Sequence, residues 1–307
     1  MITVVLHNGM CNRLLPLISS IRLAEKHSKK VNIIWTYTPV RSCIAYHGEL
    51  CKFNDLFIKP DNVVLDGIQN DNQIVYEFRF WENKDHVVDE ITNQNIFINY
   101  ALYTIISEQD DKKSIFKNLK NVIVQPQELI LDKIGIELGN ILKYKLLPIP
   151  ELQKEIESTF SYFNENMIGI HIRRSDGGFS KYNWKEIIKI LVKQCKEWCL
   201  KENNGIFLAT DDMDTYIDFA SVLGNKLIFY NPPDILCNTK STSGNKFSND
   251  KFNTLTAVVE LYLLGKCNRY IIGTADSTFS VCAMLMSNEE TKKYLINDVI
   301  NIPKFLI

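Results

Sequence analysis

The side chains best suited to chemistry lie where a short apolar run ends near the middle of the chain. Isoleucines at every second position, alternating with glycine and histidine, predict a buried strand over residues 167–173. His171 and Arg173 have the opposite parity, and Arg174 and Asp176 follow the strand end. Neighbouring arginines offer forked N–H donors that match phosphate oxygens. The alternative is a structural Arg–Asp pair at the end of a strand.

Two further predicted strands also end in polar side chains that could bind an anion or shape a site. These are Thr210, Asp211 and Asp212 after residues 206–209, and Thr274, Asp276, Ser277 and Thr278 after residues 270–272. Ser277 and Thr278 lead into a predicted helix, so hydroxyls and backbone N–H groups can face a phosphate together. The paired aspartates resemble a metal-binding D-x-D sequence, but at this strand end we expect no metal.

Three more candidates lie outside these strand ends. Glu260 is the only charged residue in the apolar stretch 257–264, where an unpaired buried carboxylate would be costly. It could accept both N–H donors on the edge of guanine, or it could reach the surface or pair with a lysine. Asn12 and Arg13 begin a predicted helix, whose N-terminus favours anions. They could equally be a simple cap, which Asn12 is placed to form, and a solvated charge.

Strands and helices alternate through the second half of the chain. Predicted strands are 167–173, 206–209, 226–230 and 270–272, and predicted helices are 151–160, 183–203, 214–223, 254–265 and one that ends near residue 286. This alternation predicts a doubly wound α/β domain, and because ligands bind outside the carboxyl ends of parallel strands, the three polar strand ends would share one crevice. The polar segment 231–253 is long for a connection and is predicted to be a mobile flap over a site.

The first half opens as a β-α-β unit that is predicted to be parallel and right-handed. Its predicted elements are strand 2–6, helix 14–26 and strand 31–35, followed after weaker patterns by strand 121–124 and a helical stretch near 128–135. The first turn is not a G-x-G-x-x-G, which excludes the dinucleotide fingerprint. Two prolines within 147–150 mark a domain boundary, which predicts domains 1–149 and 150–307.

Composition excludes several classes of function. The chain has 307 residues, 46% hydrophobic and 23% charged, with a net charge of −1. No basic field favours nucleic acid or a membrane surface, and no apolar run is long enough to span a membrane. The chain enters a strand at once without a targeting pattern, so we expect a cytoplasmic protein whose eight cysteines are reduced and structural.

Four motifs together resemble those of the GDP-fucose-dependent fucosyltransferases, a superfamily that includes the α1,6-, nodulation-factor, α1,2- and protein O-fucosyltransferases. Residues 169–176 read G-I-H-I-R-R-S-D, similar to the family motif H-x-R-R-x-D. The other three motifs are N-G-M-C-N-R-L at 8–14, similar to G-x-x-N-[RQ], then A-T-D-D at 209–212 and S-T-F-S at 277–280. They agree with the family in order and spacing across most of the chain.

The resemblance implies a GT-B-like α/β fold of two Rossmann-like, doubly wound domains facing a cleft. The N-terminal domain would hold mostly the acceptor and the C-terminal domain the GDP-sugar. It further implies an inverting glycosyltransferase in which a hydroxyl of a glycan or glycoconjugate acceptor displaces GDP from GDP-β-L-fucose and gives an α-fucoside, without cofactor or metal.

The resemblance also implies roles for individual residues. Arg173 would bind the β-phosphate and stabilise the departing GDP, which a metal would otherwise do. His171 and Glu260 would contact guanine, and Ser277 with Thr278 the phosphates. Asn12 would reach the donor across the cleft, Asp211 and Asp212 would shape the site, and Arg174 and Asp176 would brace the loop. The candidate catalytic residues are thus Arg173, Asp176 and Asp212, and the candidate donor-binding residues are Asn12, Arg13, His171, Arg174, Asp211, Glu260, Asp276, Ser277 and Thr278.

One position departs from the family pattern. The α1,6 branch has a glutamate five residues after the motif aspartate, assigned as the base, whereas this chain has Lys181. The general base stays open between Asp176, Asp212, Asp276 and a dissociative mechanism that needs little base help. Two alternative functions also stay open: transfer from a different GDP- or nucleotide-sugar, and a non-catalytic nucleotide- or glycan-binding module on the same fold.

Overall fold

The computed structural model describes residues 1–6, 9–35, 51–65, 73–77, 86–88, 95–99, 104–109, 113–118, 133–174, 182–231, 251–275 and 277–296. The chain divides into two compact units, Met1–Ile149 with Asn249–Thr254, and Pro150–Ser248 with Leu255–Ile307. A helix begins at Pro150, where the fixed φ of proline suits the first helical position and its missing N–H costs nothing.

The N-terminal unit contains a parallel five-stranded sheet in the order β3-β2-β1-β6-β4. Its strands are β1 (Ile2–Leu6), β2 (Val31–Trp35), β3 (Val63–Leu65), β4 (Gln73–Glu77) and β6 (Asn95–Asn99). Helices α1 (Met10–Lys26) and α2 (Lys133–Tyr144) belong to the same unit. The parallel pairing of β1 with β2 confirms the predicted β-α-β opening.

Most of the strands and helices in the middle of this unit were not predicted from the sequence. Besides β3, β4 and β6, it contains a short 3₁₀ helix (Phe53–Asp55) and an antiparallel sheet in the order β5-β8-β7, made of β5 (His86–Val88), β7 (Thr104–Gln109) and β8 (Lys113–Asn118). These strands are short and mixed in polarity, so no sustained period of two marks them. The predicted strand 121–124 and residues 128–132 lie outside the described ranges, and the helix predicted to end near Gly135 continues to Tyr144.

The C-terminal unit contains a second parallel five-stranded sheet, in the order β11-β10-β9-β12-β13. Its strands are β9 (Met167–Ile172), β10 (Gly205–Thr210), β11 (Leu227–Ile228), β12 (Tyr270–Thr274) and β13 (Lys292–Ile296), and its helices are α3 (Pro150–Phe160), α4 (Trp184–Glu202), α5 (Met213–Leu223), α6 (Lys251–Gly265) and α7 (Thr278–Met286). The chain winds outward from β9 in one direction and then from β12 in the other. The topological switch point therefore lies between β9 and β12.

The two faces of β9 pack differently because its side chains alternate. Ile168, Ile170 and Ile172 are fully buried in a core that includes the apolar faces of α4 and α5. On the opposite face, a Cβ at Gly169 would lie 3.0 Å from the Cys267 sulfur, so the glycine allows the chain after α6 to pack closely on the strand.

Three elements of this unit differ from the sequence prediction. The strand predicted over 226–230 is limited to Leu227–Ile228, because Gly224–Lys226 forms a 3₁₀ turn before it. Helix α6 begins at Lys251 rather than at 254, inside the segment predicted as a flap, of which residues 232–250 lie outside the described ranges. Strand β13 was not predicted, since its first two residues are lysines.

Candidate functional site

The three polar strand ends predicted to converge belong to three adjacent strands. In the register of the sheet, His171 on β9 pairs with Ala209 on β10 and with Gly273 on β12. The residues that follow these positions therefore lie side by side at the carboxyl edge of the sheet. This edge includes the switch point, where open α/β sheets bind their ligands.

A single threonine connects β12 to the end of β9. The Thr274 hydroxyl accepts a hydrogen bond from the backbone N–H of Arg173 at 2.9 Å and donates one to the backbone carbonyl of His171 at 3.2 Å. Thr274 is fully buried. The backbone that carries both motif side chains is thus fixed from the neighbouring strand.

Both arginines of the motif bind the aspartates at the end of β10. The Nε of Arg173 lies 3.3 Å from Asp211 Oδ2, and the backbone N–H of Arg174 donates to Asp211 Oδ1 at 2.8 Å. Asp211 thereby holds the guanidinium of one arginine and the backbone of the next. The paired aspartates are arginine partners in this structure, and among the described residues no three His, Cys, Asp or Glu side chains group as a metal site would require.

Asp212 has the contacts of a structural residue. Its Oδ2 accepts hydrogen bonds from Arg174 Nη1 at 2.6 Å and from the Thr215 backbone N–H and hydroxyl at 2.8 and 2.7 Å. Asp212 is the N-cap of α5, and Arg174 also donates to the Thr215 hydroxyl at 2.9 Å. These bonds connect the loop after β9 to the first turn of α5, which agrees with a bracing role for Arg174.

His171 is a buried, neutral imidazole. Its Nδ1 lies 2.7 Å from the hydroxyl of Ser280, and its ring stacks on Phe279 with centroids 4.6 Å apart. Burial is the main cause that lowers the pKa of His171 to about 3; the nearby Asp211 opposes this shift and the nearby Arg173 adds to it. Since Nδ1 is bonded to Ser280 and the backbone carbonyl accepts from Thr274, the other ring nitrogen is the group of His171 that can face a ligand.

Glu260 lies on α6 among fully buried neighbours such as Val259 and Leu261, and is itself half-buried. Burial, together with the nearby Asp211, raises the pKa of Glu260 to about 8. A carboxyl group with that pKa is mostly protonated at neutral pH, and a ligand that offers N–H donors favours its ionised form.

Ser277 and Thr278 lie at the start of α7. Ser277 is the N-cap and is almost completely buried, yet its side chain makes no capping hydrogen bond to the helix. Thr278 is the first helical residue. The N-terminus of α7 thus starts at the carboxyl end of β12, where its backbone N–H groups favour an anion.

Asn12 and Arg13 belong to the N-terminal unit, and the structure corrects two interpretations of them. Asn12 is not the cap of α1: the helix begins at Met10, because Gly9 is extended and its carbonyl accepts the Arg13 N–H at 3.2 Å. The solvated alternative for Arg13 is also wrong. Its side chain is 2% exposed, with the guanidinium 4.7 Å from the centre of the Trp35 ring.

Asp176, Asp276 and Lys181 lie outside the described ranges. Sequence reasoning named Thr274 among the polar residues at a strand end, and Phe279 and Ser280 within the motif S-T-F-S, but it did not predict their contacts with residues 171 and 173. It passed over Thr215, although a position three residues after Asp212 is typical of a helix cap. No helix in the described part of the chain has the length and apolar character needed to cross a bilayer.

Comparisons with known proteins show similarity in structure alone. No protein-family model and no curated protein matches the sequence. The crystal structure of the fucosyltransferase NodZ from Bradyrhizobium is 12% identical, with 93% of each chain covered and a TM-score of 0.56. NodZ α-1,6-fucosyltransferase soaked with GDP-fucose is 13% identical over 93% of this chain and 92% of that chain, with a TM-score of 0.57. POFUT1 in complex with GDP is 10% identical over 96% and 98% of the two chains, with a TM-score of 0.51.

The chain therefore has the GT-B-like α/β fold of these fucosyltransferases, which confirms the predicted fold class. The similarity covers nearly the whole length of the NodZ and POFUT1 chains.

Proposed function

We propose that this protein is a glycosyltransferase that moves L-fucose from GDP-β-L-fucose to a hydroxyl of a glycan or glycoconjugate, with inversion to an α-fucoside. Three lines support the proposal: the four sequence motifs, the shared fold with fucosyltransferases, and the geometry at the switch point of the C-terminal sheet. Residues 150–307 would form the donor domain and residues 1–149 the acceptor domain of a cytoplasmic enzyme.

The observation that carries the proposal is the setting of Arg173. Its backbone is held by Thr274 across the switch point, and its guanidinium is oriented by Asp211 at 3.3 Å. Positive charge fixed at this edge of the sheet suits the two phosphates of GDP. As the bond to fucose breaks, negative charge grows on the leaving phosphate, and a preorganised guanidinium stabilises it. The mechanism then requires no metal to carry that charge.

The neighbouring residues divide the remaining tasks. The start of α7 at Ser277 and Thr278 would bind phosphate oxygens through N–H and hydroxyl groups. Glu260 would accept the two N–H donors of guanine, and His171 would contact the base through its remaining ring nitrogen. Asp212, whose Oδ2 already accepts three hydrogen bonds, would be structural, leaving Asp176 or Asp276 as base or the reaction dissociative.

The test is calorimetric titration of wild type and Arg173→Ala with GDP, GDP-fucose, GDP-mannose and UDP, without added metal. We expect micromolar binding of GDP, no binding of UDP, and a loss of at least about tenfold, or 1.4 kcal/mol, in the variant. Arg269→Ala is the matched control, because Arg269 precedes β12 at the opposite edge of the same sheet.

A transfer assay with labelled GDP-fucose and an array of glycans then separates an enzyme from a binding module. GDP binding that is equal in wild type and Arg173→Ala, or absent from both, would contradict the proposal. Tighter binding of GDP-mannose than of GDP-fucose would instead assign a different donor sugar.

A further inference from the structure

We propose that Thr274 is a positioning residue for fucosyl transfer, which sets the orientation of the Arg173 guanidinium through the backbone. The inference rests on the proposed function of Arg173. It also rests on one hydroxyl that bonds two successive functional positions of β9, the N–H of Arg173 at 2.9 Å and the carbonyl of His171 at 3.2 Å.

The register of the sheet explains why a side chain, rather than the backbone of β12, bonds the Arg173 N–H. Backbone pairing between β9 and β12 ends at the pair His171–Gly273, whereas β12 continues to pair with β13 as far as Thr274 and Ile296. Beyond the last pair, the N–H of Arg173 donates to the hydroxyl of Thr274. The Thr274 hydroxyl extends the connection by one residue across the switch point.

Threonine suits this position better than most residues. Thr274 is fully buried, so the bond is protected from water, and branching at Cβ restricts its side-chain rotamer. A hydroxyl can donate and accept at once, which both bonds require. Removing it would leave a buried N–H and a buried carbonyl without their partner, and the backbone would shift to recover other hydrogen bonds.

The shift would affect catalysis more than binding. GDP contacts several groups, so a small displacement of one guanidinium changes its affinity little. Charge on the leaving phosphate is greatest in the transition state, where misplacement of a stabilising group by about 1 Å can cost about 100-fold in rate. The expected signature is therefore a reduced kcat with a nearly unchanged KM for the donor.

Thr274→Val keeps the shape of the side chain and removes the hydroxyl, whereas Thr274→Ser keeps the hydroxyl. We expect Thr274→Val to lower kcat at least about tenfold, with the donor KM within about threefold, and Thr274→Ser to stay within about threefold of wild type. Thr291→Val is the control: Thr291 is also a buried threonine of this unit, and its hydroxyl bonds the backbone of Cys267 and Asn268 just before β12. It should lose stability but keep wild-type kcat.

Two further measurements distinguish a failure of the positioning role from a failure of the proposed function. Amide hydrogen exchange at Arg173, read by NMR, should accelerate in Thr274→Val whatever the enzyme transfers, because it reports only the bond. In an Arg173→Ala background, Thr274→Val should have no further effect on kcat, since it acts through that side chain.

An unchanged kcat in Thr274→Val, or an equal loss in both backgrounds, would overturn the positioning role while the proposed function stands. If the wild-type protein neither binds GDP nor transfers fucose, the proposed function and this role are both overturned. Accelerated amide exchange at Arg173 in Thr274→Val would then show only that the hydrogen bond exists.

Discussion

The glycine at the end of β12 offers a test of how tightly the site is built. A Cβ at Gly273 would lie 2.6 Å from both Cβ and Oγ of Ser280, closer than real side chains approach. The Ser280 Cβ is fixed to the backbone of α7, so the clash can be relieved only by moving the helix away from the strand. That movement breaks the 2.7 Å contact between Ser280 Oγ and His171 Nδ1.

The cost of Gly273→Ala has two parts. Overpacking in a close-packed interior costs about 1–3 kcal/mol, and a buried polar group without its partner costs about 1–3 kcal/mol. We therefore expect a loss of about 2–6 kcal/mol in the free energy of unfolding, measured by urea denaturation with an unchanged m-value. GDP affinity should fall as well, because the start of α7 moves with Ser280.

Gly205→Ala is the matched control. A Cβ at Gly205 would lie 2.5 Å from the sulfur of Met167, nominally as severe a contact, but this atom lies near the end of a flexible side chain that can rotate away. We expect a loss below about 1.5 kcal/mol and unchanged GDP affinity. Equal destabilisation by both substitutions, or a Gly273→Ala variant as stable as wild type, would refute the packing argument.

Two further predictions concern the carboxyl groups of the site. If Glu260 binds guanine as a carboxylate, its raised pKa, about 8, means that GDP binding must release a proton below pH 8. GDP affinity should then rise with pH by up to about tenfold per unit and level off above pH 8, and this dependence should vanish in Glu260→Gln. Calorimetry in buffers of different ionisation enthalpy counts the proton, and no release in wild type would exclude this contact. Asp212→Asn should lower the free energy of unfolding by about 1 kcal/mol, because a neutral amide weakens the charge-assisted bond to Arg174, although asparagine still caps α5. The pH profile of transfer should stay unchanged, and loss of its acidic limb would instead make Asp212 the base.

Much of the C-terminal unit could be predicted because its strands are buried on both faces and carry strong local patterns. β9 and β10 were predicted within two residues at each end, and the polar residues after them do lie at one edge of the sheet. The antiparallel sheet β5-β8-β7 could not be predicted, since short strands depend on pairing with distant partners rather than on periodicity.

The distinction between local patterns and contacts with distant residues also explains which site residues could be identified from the sequence. Arg173 and Asp211 stand out because charged side chains directly after apolar strands are conspicuous in any sequence. Thr274 was named among the polar residues after β12, but its role could not be predicted, because that role comes from the register of β12 against β9, where the strand pairing ends one residue earlier and the Arg173 N–H bonds the threonine hydroxyl. Asp212 was interpreted as a possible base for the converse reason: its charge was visible, whereas its contact with Arg174, 38 positions earlier in the chain, was not. Local sequence thus reveals which groups can do chemistry, and the strand order determines which of them are held in place by others.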